Sequence, residues 1–146
     1  QDYALRVPEI RGRVWRHAFP LTAHGAGWYR TIVDNPLVQP QVFRRAGKPH
    51  LRTALQVLQL GELALCGLPG ELTAELALQI KWNSPYRHTW MSGMATDYLG
   101  YLNHRFAYVH GGYEAQTSVL PPEEGYRIAD RLVRELATLN GVGGGN

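Results

Sequence analysis

The sequence predicts a mixed α+β fold. Three features point to it: two strand-like runs joined by a tight turn, a helix directly after them, and a second helix opened by prolines near the end. Thr53, Leu55, Val57 and Gln59 alternate with their neighbours over residues 53–60, the period of a half-buried strand. Gly61-Glu62 makes a two-residue connection. The continuous apolar run at 63–68 then reads as a central strand of the same hairpin.

Pro69-Gly70 ends that strand, and the spacing predicts a helix over 71–81 with Leu72, Leu76 and Ile80 along one face. Asn83-Ser84-Pro85 stops it. Residues 86–94 are rich in aromatic and β-favouring types and predict a further strand. Residues 95–119 read as a long loop with short extended pieces, carrying Tyr98, Tyr101, Tyr108 and Tyr113. A loop that long inside a compact domain is usually functional or disordered, its aromatic content argues against disorder, and tyrosine clusters in loops usually serve packing. Pro121-Pro122-Glu123-Glu124 opens the last helix, to about residue 139, with prolines and acids where free N–H groups and the dipole favour them.

Residues 1–50 are interrupted by Pro8, Gly12, Pro20, Gly25, Gly27, Pro36, Pro40, Gly47 and Pro49, so no long helix fits. This segment is expected to be irregular, with short strands or turns, and to pack on an upstream part that the chain lacks. Residues 51–140 form the main unit, and the glycine-rich 141–146 read as a flexible tail. The chain opens on Gln1, with no leader-like stretch, which fits a processed product or a piece of a longer chain.

Composition removes several function classes. With 45% hydrophobic and 18% charged residues over 146 positions, the chain has the balance of a folded domain. No apolar run reaches the length of a bilayer span. Cys66 is the single cysteine, so neither a disulfide framework nor a cysteine-rich zinc finger can form within the chain. A net charge of +3, spread along the sequence, is too mild for a nucleic-acid partner but suits an anionic surface.

Candidate chemistry is sparse. Glu71 follows a buried strand and is placed at a helix N-terminus, where a carboxylate can ligate a metal, act as a base or simply complement the dipole. His17, His24, His50, His88, His104 and His110 show no His-Glu-x-x-His spacing, and each reads as a surface or hydrogen-bonding residue. Neither a Gly-x-Ser-x-Gly elbow nor a phosphate-binding loop occurs. Gly111-Gly112 marks a turn or a close backbone approach, and Cys66, in an apolar strand, is expected to be inert.

Three blocks in register resemble the neutral/alkaline ceramidase family: Leu58-Gln59-Leu60-Gly61-Glu62-Leu63-Ala64-Leu65-Cys66-Gly67-Leu68-Pro69-Gly70-Glu71, then Ala95-Thr96-Asp97-Tyr98-Leu99-Gly100-Tyr101, then Gly112-Tyr113-Glu114-Ala115. The similarity covers about residues 50–139. It implies that the chain is the C-terminal part of a ceramidase-like catalytic domain, a zinc-dependent amidase that cleaves the N-acyl bond of ceramide or a related lipid amide. By that resemblance Glu71 and Tyr101 are zinc ligands, and Tyr113 polarises the scissile carbonyl. A carboxylate and a phenol beside the cation suit zinc, and a phenol O–H aimed at the carbonyl suits a developing oxyanion. The family's two zinc histidines and its catalytic serine segment lie upstream, in a part this chain does not contain. The implied partners are that upstream part, a lipid amide and a membrane surface, and the implied compartment is extracytoplasmic. The stretch 102–110 is most like that of uncharacterised bacterial relatives. A different amide or ester hydrolase on the same scaffold, or a non-catalytic binding or assembly module, are the alternatives.

Overall fold

The computed structural model describes residues 10–21 and 42–141. Strand β1 (Ile10–Pro20) and strand β2 (Val42–Arg45) both pair antiparallel with β3 (Lys48–Leu60). β4 (Leu63–Gly67) returns along β3 through Gly61-Glu62, with Leu60 opposite Leu63, as the two-residue connection requires. Then come β5 (Glu71–Leu72), α1 (Ala74–Trp82) and β6 (His88–Ser92), which pairs parallel with β4. β7 (Tyr101–Leu102) pairs parallel with β5. Two short helices, α2 (Arg105–His110) and α3 (Tyr113–Thr117), precede the long α4 (Glu124–Leu139).

The main sheet runs β1-β3-β4-β6, with β2 also on β3. β1 holds one edge of β3 along residues 50–60, so β2 and β4 share the other edge, end to end. The loop after β6 fills the gap between them: Thr96 Oγ1 donates to the Ala54 carbonyl at 2.6 Å, and Thr53 Oγ1 donates to Asp97 at 2.9 Å.

One face of the sheet is the inner one. Leu51, Leu55 and Val57 of β3 and Ala64 and Cys66 of β4 are buried against Leu76 and Ile80 of α1 and Ile128, Leu132 and Leu136 of α4. Burial of each leucine, valine and isoleucine side chain among them is worth about 1.5–3 kcal/mol, which makes this layer the main stabilising unit. Burial also pushes the Cys66 thiol up to about 12, so it stays protonated and inert, as its apolar strand suggested.

Several expectations change. Residues 10–20, expected to be irregular, are an eleven-residue strand. Residues 22–41, the other large part of that segment, lie outside the described residues, as do residues 142–146 of the expected tail. The helix expected from Glu71 starts at Ala74 behind the N-cap Thr73, because residues 71–72 are committed to a strand ladder. The expected loop at 95–119 holds β7 and two helical turns, too short to leave a periodic signal. Gly111 and Gly112 separate those turns at φ of +75° and +117°, values that glycine adopts without strain.

Candidate functional site

β4 and β6 run parallel, so their carboxyl ends emerge side by side. Ligand sites of open α/β sheets form at such ends. The segment leaving β4 is laced to the segment leaving β6. Leu68 N–H donates to the Ser92 carbonyl at 2.9 Å, Ala95 N–H to Leu68 at 2.9 Å, and Leu99 N–H to Pro69 at 2.6 Å. Met94 adopts φ +53°, a conformation unusual outside glycine, and its N–H reaches the Gly70 carbonyl at 3.2 Å. Gly70 is required for space: a Cβ there would fall well inside contact distance of the Gly100 carbonyl oxygen. That close approach lets Glu71 N–H donate to Gly100 at 2.8 Å and Thr73 N–H to Leu102 at 3.1 Å.

The result is a short parallel ladder in which Glu71 is the direct partner of Tyr101. Partnered residues on neighbouring strands present their side chains to the same face, about 4.8 Å apart. Glu71 is therefore a strand residue beside Tyr101, and the helix-cap reading of it is replaced. Tyr113, on α3, brings its ring to 5.9 Å from that of Tyr101, edge to face. Tyr113 is 57% exposed, whereas Glu71 and Tyr101 are half-buried. The floor is fixed by Asn103, whose Nδ2 donates to the Glu114 carbonyl at 2.8 Å, and by Ser118, whose Oγ donates to the Tyr101 carbonyl at 3.3 Å.

A groove of about 350 Å³ follows this ladder, lined by Glu71, Tyr101, Asn103 and Glu114 and, from α1 and the start of α2, by Glu75 and His104. A hollow of about 380 Å³, lined by Arg16, Phe43, Arg52 and Asp97 among others, sits elsewhere and shares none of these residues. The Tyr101 phenol is held above its ordinary value of 10.0, first by loss of solvent and then by the Glu71 carboxylate, with smaller contributions from Tyr113, Tyr98 and Glu114. A cation lodged beside Glu71 would reverse that push.

The three residues singled out from the sequence thus come together, Glu71 and Tyr101 in the groove and Tyr113 against Tyr101. Sequence reasoning missed Glu75, His104 and Glu114. His104 was placed in a loop; it is the N-cap of α2, with its Nε2 at 3.3 Å from Glu75 Oε1 and its N–H donated to Thr73 Oγ1 at 3.3 Å. Glu114 directly follows Tyr113, which was its only signal. Among the described residues, no three of His, Cys, Asp and Glu gather closely enough to hold a metal ion. The donors that do stand together are one carboxylate and one phenol, partnered on neighbouring strands.

The fold so assembled is ceramidase-like. It is similar to that of neutral ceramidase from Pseudomonas aeruginosa, with a TM-score of 0.56 and 22% sequence identity over 63% of this chain. A solved ceramidase complexed with C2 gives the same figures. The matched part spans only 16% of each of those chains, and at this identity the likeness is one of fold. No family model matches the sequence, and no curated protein matches it.

Proposed function

We propose that this chain is the C-terminal part of a ceramidase-like zinc amidohydrolase that cleaves the acyl–nitrogen bond of ceramide or a related lipid amide. The observation that supports it is the pairing of Glu71 with Tyr101, with the Tyr113 ring against it, at the carboxyl ends of β4 and β6 on a ceramidase-like fold. Glu71 and Tyr101 would hold the ion from one side, and the remaining ligands would come from the upstream part of the domain. When bound, zinc supplies a Lewis acid and a nucleophilic water near neutral pH. Tyr113 O–H donates a hydrogen bond to the carbonyl oxygen as negative charge builds there. Glu114 and the His104–Glu75 pair line the same groove beside the Glu71–Tyr101 ladder.

Zinc titration by calorimetry, on wild type, Glu71→Ala and Tyr101→Phe, tests this. The expected result is weak binding by the chain that falls roughly ten-fold or more in either variant. Zinc binding indifferent to both substitutions would overturn the proposal.

A further inference from the structure

The helices that pack on the sheet, α1 and α4, do so from its inner side, and the outer side is apolar toward the hairpin end of β3 and β4, with Arg16 and Arg52 farther along it. Strand register puts Ile10, Leu60 and Leu63 in one row across the sheet, ending at His88 of β6. The next row is Gly12, Leu58, Leu65 and Trp90. Val14 stands in the row beyond, opposite Gln56. Ile10, Val14 and Trp90 are 65%, 64% and 61% exposed, and the four leucines are half-buried. Leu58 lies so close over Gly12 that a Cβ there would meet its Cδ2 at 2.7 Å. β4 is therefore apolar on both faces, the pattern of a strand covered on both sides, while only one of its faces is covered by α1 and α4.

We propose that this outer face docks an apolar-faced polypeptide layer, supplied by the remainder of the ceramidase-like domain; the inference rests on the function proposed above. Two observations favour that occupant over a second copy. The apolar band measures roughly 20 Å by 20 Å from strand and residue spacings, about 400 Å², half of the ~800 Å² that each partner of a stable dimer buries. Two copies would also bring together chains of the same +3 net charge. The solved ceramidase supplies the third observation: the matched fold is 16% of that chain, so the same piece occurs there among a far larger amount of protein. The band also lies toward the hairpin end of β3 and β4, away from the strand ends that carry Glu71, so it is no extension of the groove.

The chain, its Leu58→Thr/Leu65→Thr variant and its Trp90→Thr variant would be compared by anilinonaphthalenesulfonate fluorescence, sedimentation velocity over a concentration series, and flotation with phosphatidylcholine–phosphatidylglycerol vesicles. Threonine keeps β-propensity while removing apolar surface. The expected result is a dye-binding wild type that self-associates without a fixed stoichiometry and does not float. The double variant is expected to be monomeric, nearly dye-silent and unchanged in unfolding midpoint. Trp90→Thr, a change at a 61% exposed side chain, gives the same trend even if the double variant does not fold. A closed dimer that the variants dissolve, flotation that they abolish, or a wild type that is a dye-silent monomer would each overturn the proposal. Zinc affinity, which reads the groove alone, separates this outcome from failure of the functional reading.

Discussion

The seam between β1 and α4 and the groove beside β5 and β7 both gather carboxylates, and they treat them oppositely. In the seam, Glu124 is 1% exposed and takes a hydrogen bond from Arg127 at 2.6 Å, with His17 of β1 at 3.5 Å. Glu135 sits between Arg131 of its own helix at 2.6 Å and Arg13 of β1 at 2.9 Å. The Arg13 contact is close but misaligned for a hydrogen bond, so Glu135 Oε2 has charge pairing without a donor. Every buried charge there is matched within the chain. In the groove, Glu71 and Glu114 act on the Tyr101 phenol with the same sign, and neither a lysine nor an arginine is among the described residues that line it. Pairing serves the fold in the first region, whereas unneutralised charge in a cleft is the mark of a place where something from outside is received.

The largest effect is expected from breaking the seam. Arg13→Met with Arg131→Met leaves Glu135 buried and uncompensated, which costs about 3 kcal/mol in urea unfolding, near the low end for broken buried pairs because both arginines are partly exposed. Adding Glu135→Gln removes the stranded charge and recovers much of that loss. Zinc affinity stays where it was in both variants, since the seam shares no residue with the groove. A destabilisation that Glu135→Gln fails to relieve would show that packing around Trp15, over which Arg131 lies at 5.5 Å, mattered more than charge.

A middle effect is expected from Gly70→Ala, which forces the Gly100 backbone away and opens the β5–β7 ladder. Overpacking of this kind costs about 1–3 kcal/mol. Its distinguishing readout is zinc affinity, which drops although neither proposed ligand is altered; unchanged affinity would mean that the ladder does not set the Glu71–Tyr101 spacing.

The same contrast explains what was legible in the sequence. The hairpin of β3 and β4 was readable because its alternation and its Gly61-Glu62 turn are local. β1 is hidden because its inner face mixes Arg11, Arg13 and His17 with Trp15 and Phe19, and the carboxylates that meet Arg13 and His17 stand on α4, more than a hundred residues away. α2 and α3 span six and five residues, too few for a periodic face. The meeting of Glu71 with Tyr101 depends on two-residue strands thirty positions apart, which no local pattern encodes; only the resemblance to a family pointed to both. His104 and Glu75 lie outside the three blocks that carry the resemblance, and the shared groove is what brings them to the site.

The smallest effect on stability, and the sharpest test of the contrast, is expected from Glu71→Gln. In the seam, neutralising a carboxylate removes an attraction. In the groove it removes a repulsion, because the Glu71 charge is one of the causes that hold the Tyr101 phenol above 10.0. The variant's phenol therefore titrates closer to its ordinary range, though still raised by loss of solvent, and ultraviolet difference absorbance of tyrosinate against pH reads the change. The sign carries into stability. A phenol whose folded pKa lies above its unfolded value contributes stability that is complete below about pH 10 and is lost as pH rises through the folded value. Wild type loses that contribution over a wider alkaline window than Glu71→Gln, while near neutral pH the two unfold at the same midpoint. An unshifted phenol in the variant would mean that Glu71 points away from Tyr101, and the groove would then lose the pair on which its reading as half of a metal shell depends.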